Sequence, residues 1–435
     1  MVNDMGKIGR DVFPTNDKKR EAGHAVVRSH PSRLIAFFCG LLFIITSCSS
    51  TTTSAIPPTA TRSVSPTAVP TQPPPSDDVL VARMVHNLTL DQKLGQMVIS
   101  EFYTGTFNND LQQMIQGDNI SGVLIENKNG NAQTRDQLIA LNKAMQSKAH
   151  VPLFISTDYE GGIVNELRLI TGERPSEAAI GATNDPQKAY AAGHSAASDL
   201  TGLGLNVNFM PIVDVLTNPK NPGLPQRTFG SDATLVTNMG RAYLKGLTDG
   251  GIVGCLKHFP GLGSANLDPH FALPTMNRSL ATLNAVDLVP YRTMINEGIV
   301  PMVMVTHILN PQLDPNLPTS LSPNVVTRLL RDTLNFKGVI ISDTLWMGGI
   351  SNTYTLSQAA VMAVKAGIDL LLGPRGLAET QTMLFGLRQA VQNGQIAMSQ
   401  IDASVTRIIA LKLKYNIIPH DLALQLAGFM GSGNE

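Results

Sequence analysis

The chain has 435 residues, 43% of them hydrophobic, enough for one large core or for two or three small ones. Its 33 Lys and Arg balance 33 Asp and Glu, and no block of like charge interrupts the sequence. This balance argues against nucleic-acid binding and against a polybasic membrane patch.

In chain order, the first 33 residues carry seven basic side chains (Lys7, Arg10, Lys18, Lys19, Arg20, Arg28, Arg33) against four acidic ones. The apolar run LIAFFCGLLFIIT at 34–46 is short for a bilayer span and has the size of a signal-peptide core. It leads into ITSC at 45–48, which resembles a bacterial lipobox. Residues 1–48 are therefore expected to be a lipoprotein signal peptide, with Cys48 receiving the lipid. The blander alternative is an anchor helix with an incidental cysteine. Residues 49–76 hold 20 Ser, Thr or Pro in 28 positions, with Arg62 as the one charge. Such a stretch cannot bury enough apolar surface to offset its chain entropy, so 49–78 is read as an extended tether. The expectation is an exported protein, lipid-anchored to a membrane on its outer or periplasmic side. Of three cysteines, Cys39 would leave with the signal peptide and Cys48 would be lipidated, so Cys255 stands alone as core. No Cys/His spacing suits zinc, and no metal or cofactor is expected.

From residue 77 onward, apolar strand-like runs alternate with amphipathic helical stretches. The runs are at 95–102, 121–126, 152–158, 205–215, 251–259, 300–308, 337–345 and 367–373. Their near-continuous Val/Ile/Leu character predicts strands buried on both faces, as in a helix-covered parallel sheet. Thr89 with Gln92 reads as a capping box, Ser322–Pro323 as a helix start, and Gly367 as a helix end. Eight repeats of strand and helix predict an α/β fold, a TIM-like (β/α)8 barrel over 79–420, followed by a tail at 421–435. An open doubly wound sheet is the alternative.

Asp158, Asp214, Lys257, His258, His307 and Asp343 each fall at the end of an apolar run. In a barrel those ends form the C-terminal rim, where catalytic groups collect. One such residue would more commonly be a cap or a satisfied core group, but five strands ending this way point to a site.

The segments KHFPGLGSANLDPH (257–270), TDYEGGIVNEL (157–167), NFMPIVDV (208–215), QRTFGSD (226–232) and SDTLWMGGI (342–350) together resemble glycoside hydrolase family 3. The resemblance is to its β-N-acetylhexosaminidase branch, and it runs from about residue 88 to 415. It implies a TIM-like barrel with Asp343 as nucleophile and His270, paired with Asp268, as general acid/base. It also implies that Asp158, Arg227, Lys257 and His258 contact the sugar. With some twenty residues after Tyr415, the expectation is a barrel without the second α/β domain common in the β-glucosidase branch.

These residue types suit the chemistry. Cleavage with retention needs a carboxylate to trap the anomeric carbon and a donor for the departing oxygen. A histidine, with a pKa near about 6.5, can give and take that proton around neutrality. Asp268 can fix its ring, and Pro269 stiffens the link between them. Trp346 is either a wall for the sugar or packing, and His307 is either structural or a substrate contact.

Three positions depart from the family pattern. Glu166 stands where hexosaminidases of this type carry an arginine, Leu262 replaces a histidine, and proline separates the Asp–His pair. Either Arg168, two residues on, supplies the missing charge and pairs with Glu166 from the same side of an extended segment, which is the expectation, or the charge is absent and the preference shifts away from the N-acetylated sugar. The expected protein is a monomeric exo-acting retaining β-N-acetylglucosaminidase for peptidoglycan fragments or chitin-like oligosaccharides. A β-glucosidase-like or phosphorolytic enzyme is one alternative, and a non-catalytic sugar-binding lipoprotein is another.

Overall fold

The structure is a computed structural model that describes residues 75–430. The signal peptide, the lipobox Cys48 and the tether up to residue 74 lie outside the described residues. The first described helix, Asp77–Asn87, begins two residues inside the predicted tether.

Eight parallel strands form the sheet: β1 (Val98–Glu101), β2 (Gly122–Ile125), β3 (Phe154–Thr157), β4 (Val207–Asn208), β5 (Val253–Phe259), β6 (Met302–Val305), β7 (Val339–Ser342) and β8 (Leu371–Arg375). Their order around the sheet is β8-β1-β2-β3-β4-β5-β6-β7. The two outer strands then meet: Ile341 bridges Leu370, and the Ser342 amide donates to the Leu370 carbonyl at 3.0 Å. The result is the near-closed barrel that the eight runs predicted. All residues of β1, β2, β3, β5, β6 and β7 are buried, as strands covered by helices outside and packed side chains inside must be.

Seven of the eight runs contain one strand and the eighth, 367–373, overlaps β8, but the strand lengths differ from the apolar pattern. β4 is two residues long although its run extended to 215. Pro211 interrupts it, having no N–H to donate to a ladder, and pairing resumes as a single bridge between Ile212 and Lys257.

The helix signals are in place. Thr89 and Gln92 form the reciprocal capping box, and Gly367 ends the helix Leu356–Ala366 at φ 109°. Ser322 precedes the helix opened by Pro323, and its hydroxyl accepts from the Val325 amide at 3.4 Å. Of the segment read as a C-terminal tail, 421–435, the structure describes the part up to residue 430. Residues His420–Leu426 are helical and bury Ala423, and Asn87 donates to the Leu426 carbonyl at 3.0 Å. The tail packs because Ala423 and Ala427 recur at helical spacing on one face.

Candidate active site

Polar side chains gather at the C-terminal ends of the strands. Glu101 ends β1, Glu126 follows β2, Asp158 follows β3, Lys257 and His258 lie in β5, and Asp343 follows β7. A cleft of 210 Å³ is lined by Glu126, Lys128, Asp158, Glu166, Arg227, Lys257, His258, His270, Asp343 and Trp346 among others. The structure therefore brings together Asp343, His270, Asp158, Arg227, Lys257, His258, Glu166 and Trp346. A smaller adjoining recess on the β4–β5 side adds Asp268, Leu267 and Met347.

The deepest part is a lattice of ion pairs. The Lys257 ammonium, 2% exposed, donates to Asp158 at 2.5 Å and to Glu160 at 2.7 Å. Arg227 grips the same Glu160 through Nε and Nη2, both at 2.7 Å, in the bidentate fork that suits a carboxylate. Burial would raise the Glu160 carboxyl, but the Arg227 and Lys257 charges overcome it and hold the group at about 2. Burial likewise opposes the Lys257 charge, and the two carboxylates override it and push its pKa up. These ions are fixed in their charged forms at neutral pH. Asp158, Lys257 and Arg227 still reach the cleft, so a sugar hydroxyl placed there meets charge-assisted donors and acceptors.

His258 is held from behind. Asp214 accepts from its Nδ1 at 2.7 Å and from its amide at 3.2 Å, and from the Leu262 amide at 2.6 Å. This fixes the proton on Nδ1 and turns Nε2 toward the cleft. Asp214 thus acts through His258.

Asp343 sits directly after β7, its amide donating to the Val305 carbonyl at 2.9 Å and one carboxylate oxygen accepting from the Thr344 amide at 2.8 Å. Burial would raise its pKa, yet His307, His258, His270 and that amide together hold it below the ordinary carboxylate range. A carboxylate that stays ionised is what a nucleophile requires. His307 is fully buried and does not line the cleft. Its Nε2 donates to the Thr344 carbonyl at 3.1 Å and its Nδ1 lies 2.7 Å from the Ser320 hydroxyl, while burial pushes its pKa down. Of the two roles left open for His307, its burial and its bond to the Thr344 carbonyl fit the structural one, in support of the peptide that follows Asp343.

The Asp268–His270 pair has the local geometry its spacing implied. His270 Nδ1 lies 2.7 Å from Asp268 Oδ1, which also accepts the His270 amide at 2.9 Å. The pair is open, with the His270 side chain 51% exposed at the cleft mouth.

One expectation is overturned. Arg168 opens the short helix Arg168–Thr171, so the alternation of an extended segment stops before it. Its guanidinium donates to the Gly162 carbonyl and pairs with Glu173 at 3.0 Å, outside the cleft. The cation that lines the cleft beside Glu166 is Lys128. Glu166 itself accepts from the Asn127 amide at 2.8 Å, and burial raises its pKa.

Four site residues escaped the sequence reading. Glu101 and Glu126 follow apolar runs as Asp158 does, so the same rule would have found them. Glu160 lies two residues past Asp158, where an extended chain presents both to one side. Lys128 carries no comparable signal. Two of them hold Trp346: its indole N–H donates to Glu101, and its ring lies under the Lys128 ammonium at 5.6 Å, with the Arg375 guanidinium at 5.7 Å. Trp346 thus lines the cleft with its indole held in place.

An eight-stranded barrel whose C-terminal rim carries Asp343 and an Asp–His pair on a polar cleft is a setting suited to glycoside hydrolysis. Residues 89–411 match the sequence profile of the glycosyl hydrolase family 3 N-terminal domain, and the chain belongs to this family. It is 32% identical to beta-hexosaminidase A of Pseudoalteromonas piscicida over 75% of this chain and 61% of that protein. It is 33% identical to beta-hexosaminidase LpqI of Mycobacterium tuberculosis over 84% of this chain and 91% of the relative. Among solved structures, the family 3 beta-N-acetylglucosaminidase of Paenibacillus sp. str. FPU-7 superposes with a TM-score of 0.74 at 38% identity. That match covers 76% of this chain and 63% of the Paenibacillus chain, so the present chain spans less than two thirds of two of these relatives.

Proposed function

We propose that the protein is a retaining exo-β-N-acetylhexosaminidase that removes terminal β-linked N-acetylglucosamine from peptidoglycan fragments or chitin-like oligosaccharides. The observation that carries this reading is the convergence of Asp343 and the Asp268–His270 pair on one cleft floored by the Asp158–Lys257–Glu160–Arg227 lattice. The names of the relatives supply the sugar class.

In the proposed reaction a carboxylate oxygen of Asp343 bonds to the anomeric carbon as the glycosidic C–O bond breaks. His270, protonated on both ring nitrogens, gives its Nε2 proton to the departing oxygen, and Asp268 holds the Nδ1–H. Water then gives a proton back to Nε2 while its oxygen displaces Asp343 from the sugar, restoring the starting state. Asp158, Lys257, Arg227 and His258 hold the hydroxyls of the reacting sugar.

Release of nitrophenol from an aryl N-acetyl-β-glucosaminide, with and without phosphate, tests the reading. We expect hydrolysis independent of phosphate, and a slow fluorosugar that labels Asp343. Phosphate-dependent turnover would make the enzyme a phosphorylase, and no release would favour a sugar-binding protein. We further propose that residues 1–48 export the chain and that Cys48 carries a lipid, leaving the barrel tethered at a membrane as a monomer. Full-length protein should enter the detergent phase on extraction and Cys48→Ser should not. Recovery of both in the aqueous phase would remove the anchor.

A further inference from the structure

We propose that Gly348, Gly349 and Asn352 are positioning residues for the general acid: they form the dock that holds the His270 loop over the nucleophile. The proposal rests on the reading of His270 as proton donor.

The tip at residues 266–272 is tied to the rest of the described protein through three successive carbonyls. Pro269 accepts from the Gly349 amide at 3.0 Å, His270 from the Gly348 amide at 2.9 Å, and Phe271 from Asn352 Nδ2 at 3.1 Å. The remaining hydrogen bonds of the tip are internal and centre on Asp268. They shape the Asp–His pair and do nothing to place it. Pro269 is buried, whereas Leu267 and Phe271 are 49% and 79% exposed, so packing adds to the three carbonyl contacts at one residue only.

The donors have a physical reason to be free. Gly348 and Gly349 are the first residues of the helix Gly348–Ser351, and the residue before them makes no side-chain cap. Their amides have no partner within the helix, so the loop carbonyls satisfy them. Glycine is required for the approach. A Cβ on Gly348 would overlap the Phe271 carbonyl oxygen and lie 2.6 Å from its carbon; one on Gly349 would lie 3.2 Å from the Pro269 oxygen. Gly348 follows Asp343 by five residues, so nucleophile and proton donor are referenced to one short segment.

The test uses the full chain and a series of aryl N-acetyl-β-glucosaminides with leaving groups from dinitrophenol to weakly acidic phenols. An activated leaving group departs without a proton. Gly348→Ala should therefore lose on the order of 10²-fold in kcat/KM on weakly acidic phenols, and less than about 3-fold on dinitrophenol. Azide, which needs no general base, should raise its kcat on the dinitrophenyl substrate and yield glycosyl azide, as it should for His270→Ala. Asn352→Ala, a change at an exposed side chain, should show the same leaving-group slope at roughly 3–10-fold, and it decides the matter should Gly348→Ala not fold. A steep slope for His270→Ala beside flat slopes for Gly348→Ala and Asn352→Ala overturns the dock alone. A flat slope for His270→Ala overturns the proton-donor reading and the dock with it.

Discussion

The two sides of the cleft are built on opposite principles. On the β3–β5 side, Lys257 and Glu160 are buried and Arg227 is mostly so, each bonded to at least two partners or in a bidentate fork, and their charges are locked. On the other side, His270 is half in solvent and owes its orientation to a single aspartate two residues away. A sugar-gripping group gains from not moving, because its hydrogen bonds are then made at no reorganisation cost. A proton donor must work on both a leaving oxygen and an incoming water, and it needs solvent contact to exchange its proton. The difference in burial therefore follows the difference in task.

The comparison breaks most decisively through a pair of variants assayed on the same substrates. Lys257→Ala takes the cationic partner from Asp158 and leaves Glu160 to Arg227 alone, and it is expected to destabilise the fold by about 1–3 kcal/mol. In any protein that folds, kcat/KM should fall about 10²–10³-fold whatever the leaving group, since the sugar itself is no longer held. Asp268→Asn removes the charge beside His270 and adds an NH2 donor that can bind Nδ1, so the ring is no longer held in one tautomer. It should leave the melting temperature within about 2 °C of the native value. Its losses should be confined to poor leaving groups, at about 10²-fold. If both variants lose activity evenly across leaving groups, the division of the cleft into a grip and a donor is wrong.

That division was partly legible in the sequence. The eight apolar runs announced the barrel because a strand buried on both faces has few other residues available to it. Asp158, Lys257, His258 and Asp343 stood out because each breaks such a run at its end. Asp268 and His270 were legible because i and i+2 in a turn of this kind reach each other without help from the fold. Arg168 misled because the alternation rule holds only while the chain is extended, and a helix starts at that residue. The Glu160–Arg227 pair spans 67 positions and becomes visible only when β3 and the segment after β4 lie side by side. The same holds for Glu101 and Trp346, which the barrel closure brings together across 245 positions.

A third group lies between grip and donor and shows how the cleft tolerates surplus acid. Glu126 is buried beside Glu101 and Asp158, with Lys128 at 2.8 Å as its one cationic partner and Asn129 donating at 2.7 Å. Burial, then the Glu101 charge, push its carboxyl from 4.5 up to about 8, and Lys128 only limits the rise. The folded protein therefore holds this proton more tightly than the unfolded chain does. The stabilisation is complete below pH 4.5 and is lost as pH rises through about 8. Glu126→Gln keeps an acceptor for Lys128 and a partner for Asn129 but has no proton to lose. Melting temperatures of the two proteins should thus diverge with pH, the variant gaining roughly 2–5 °C on the native protein between pH 5 and pH 8.5. A constant difference across that range would mean that Glu126 is already ionised in the folded state. Lys128 would then neutralise it fully, and this side of the cleft would join the locked lattice around Lys257 instead of standing apart from it.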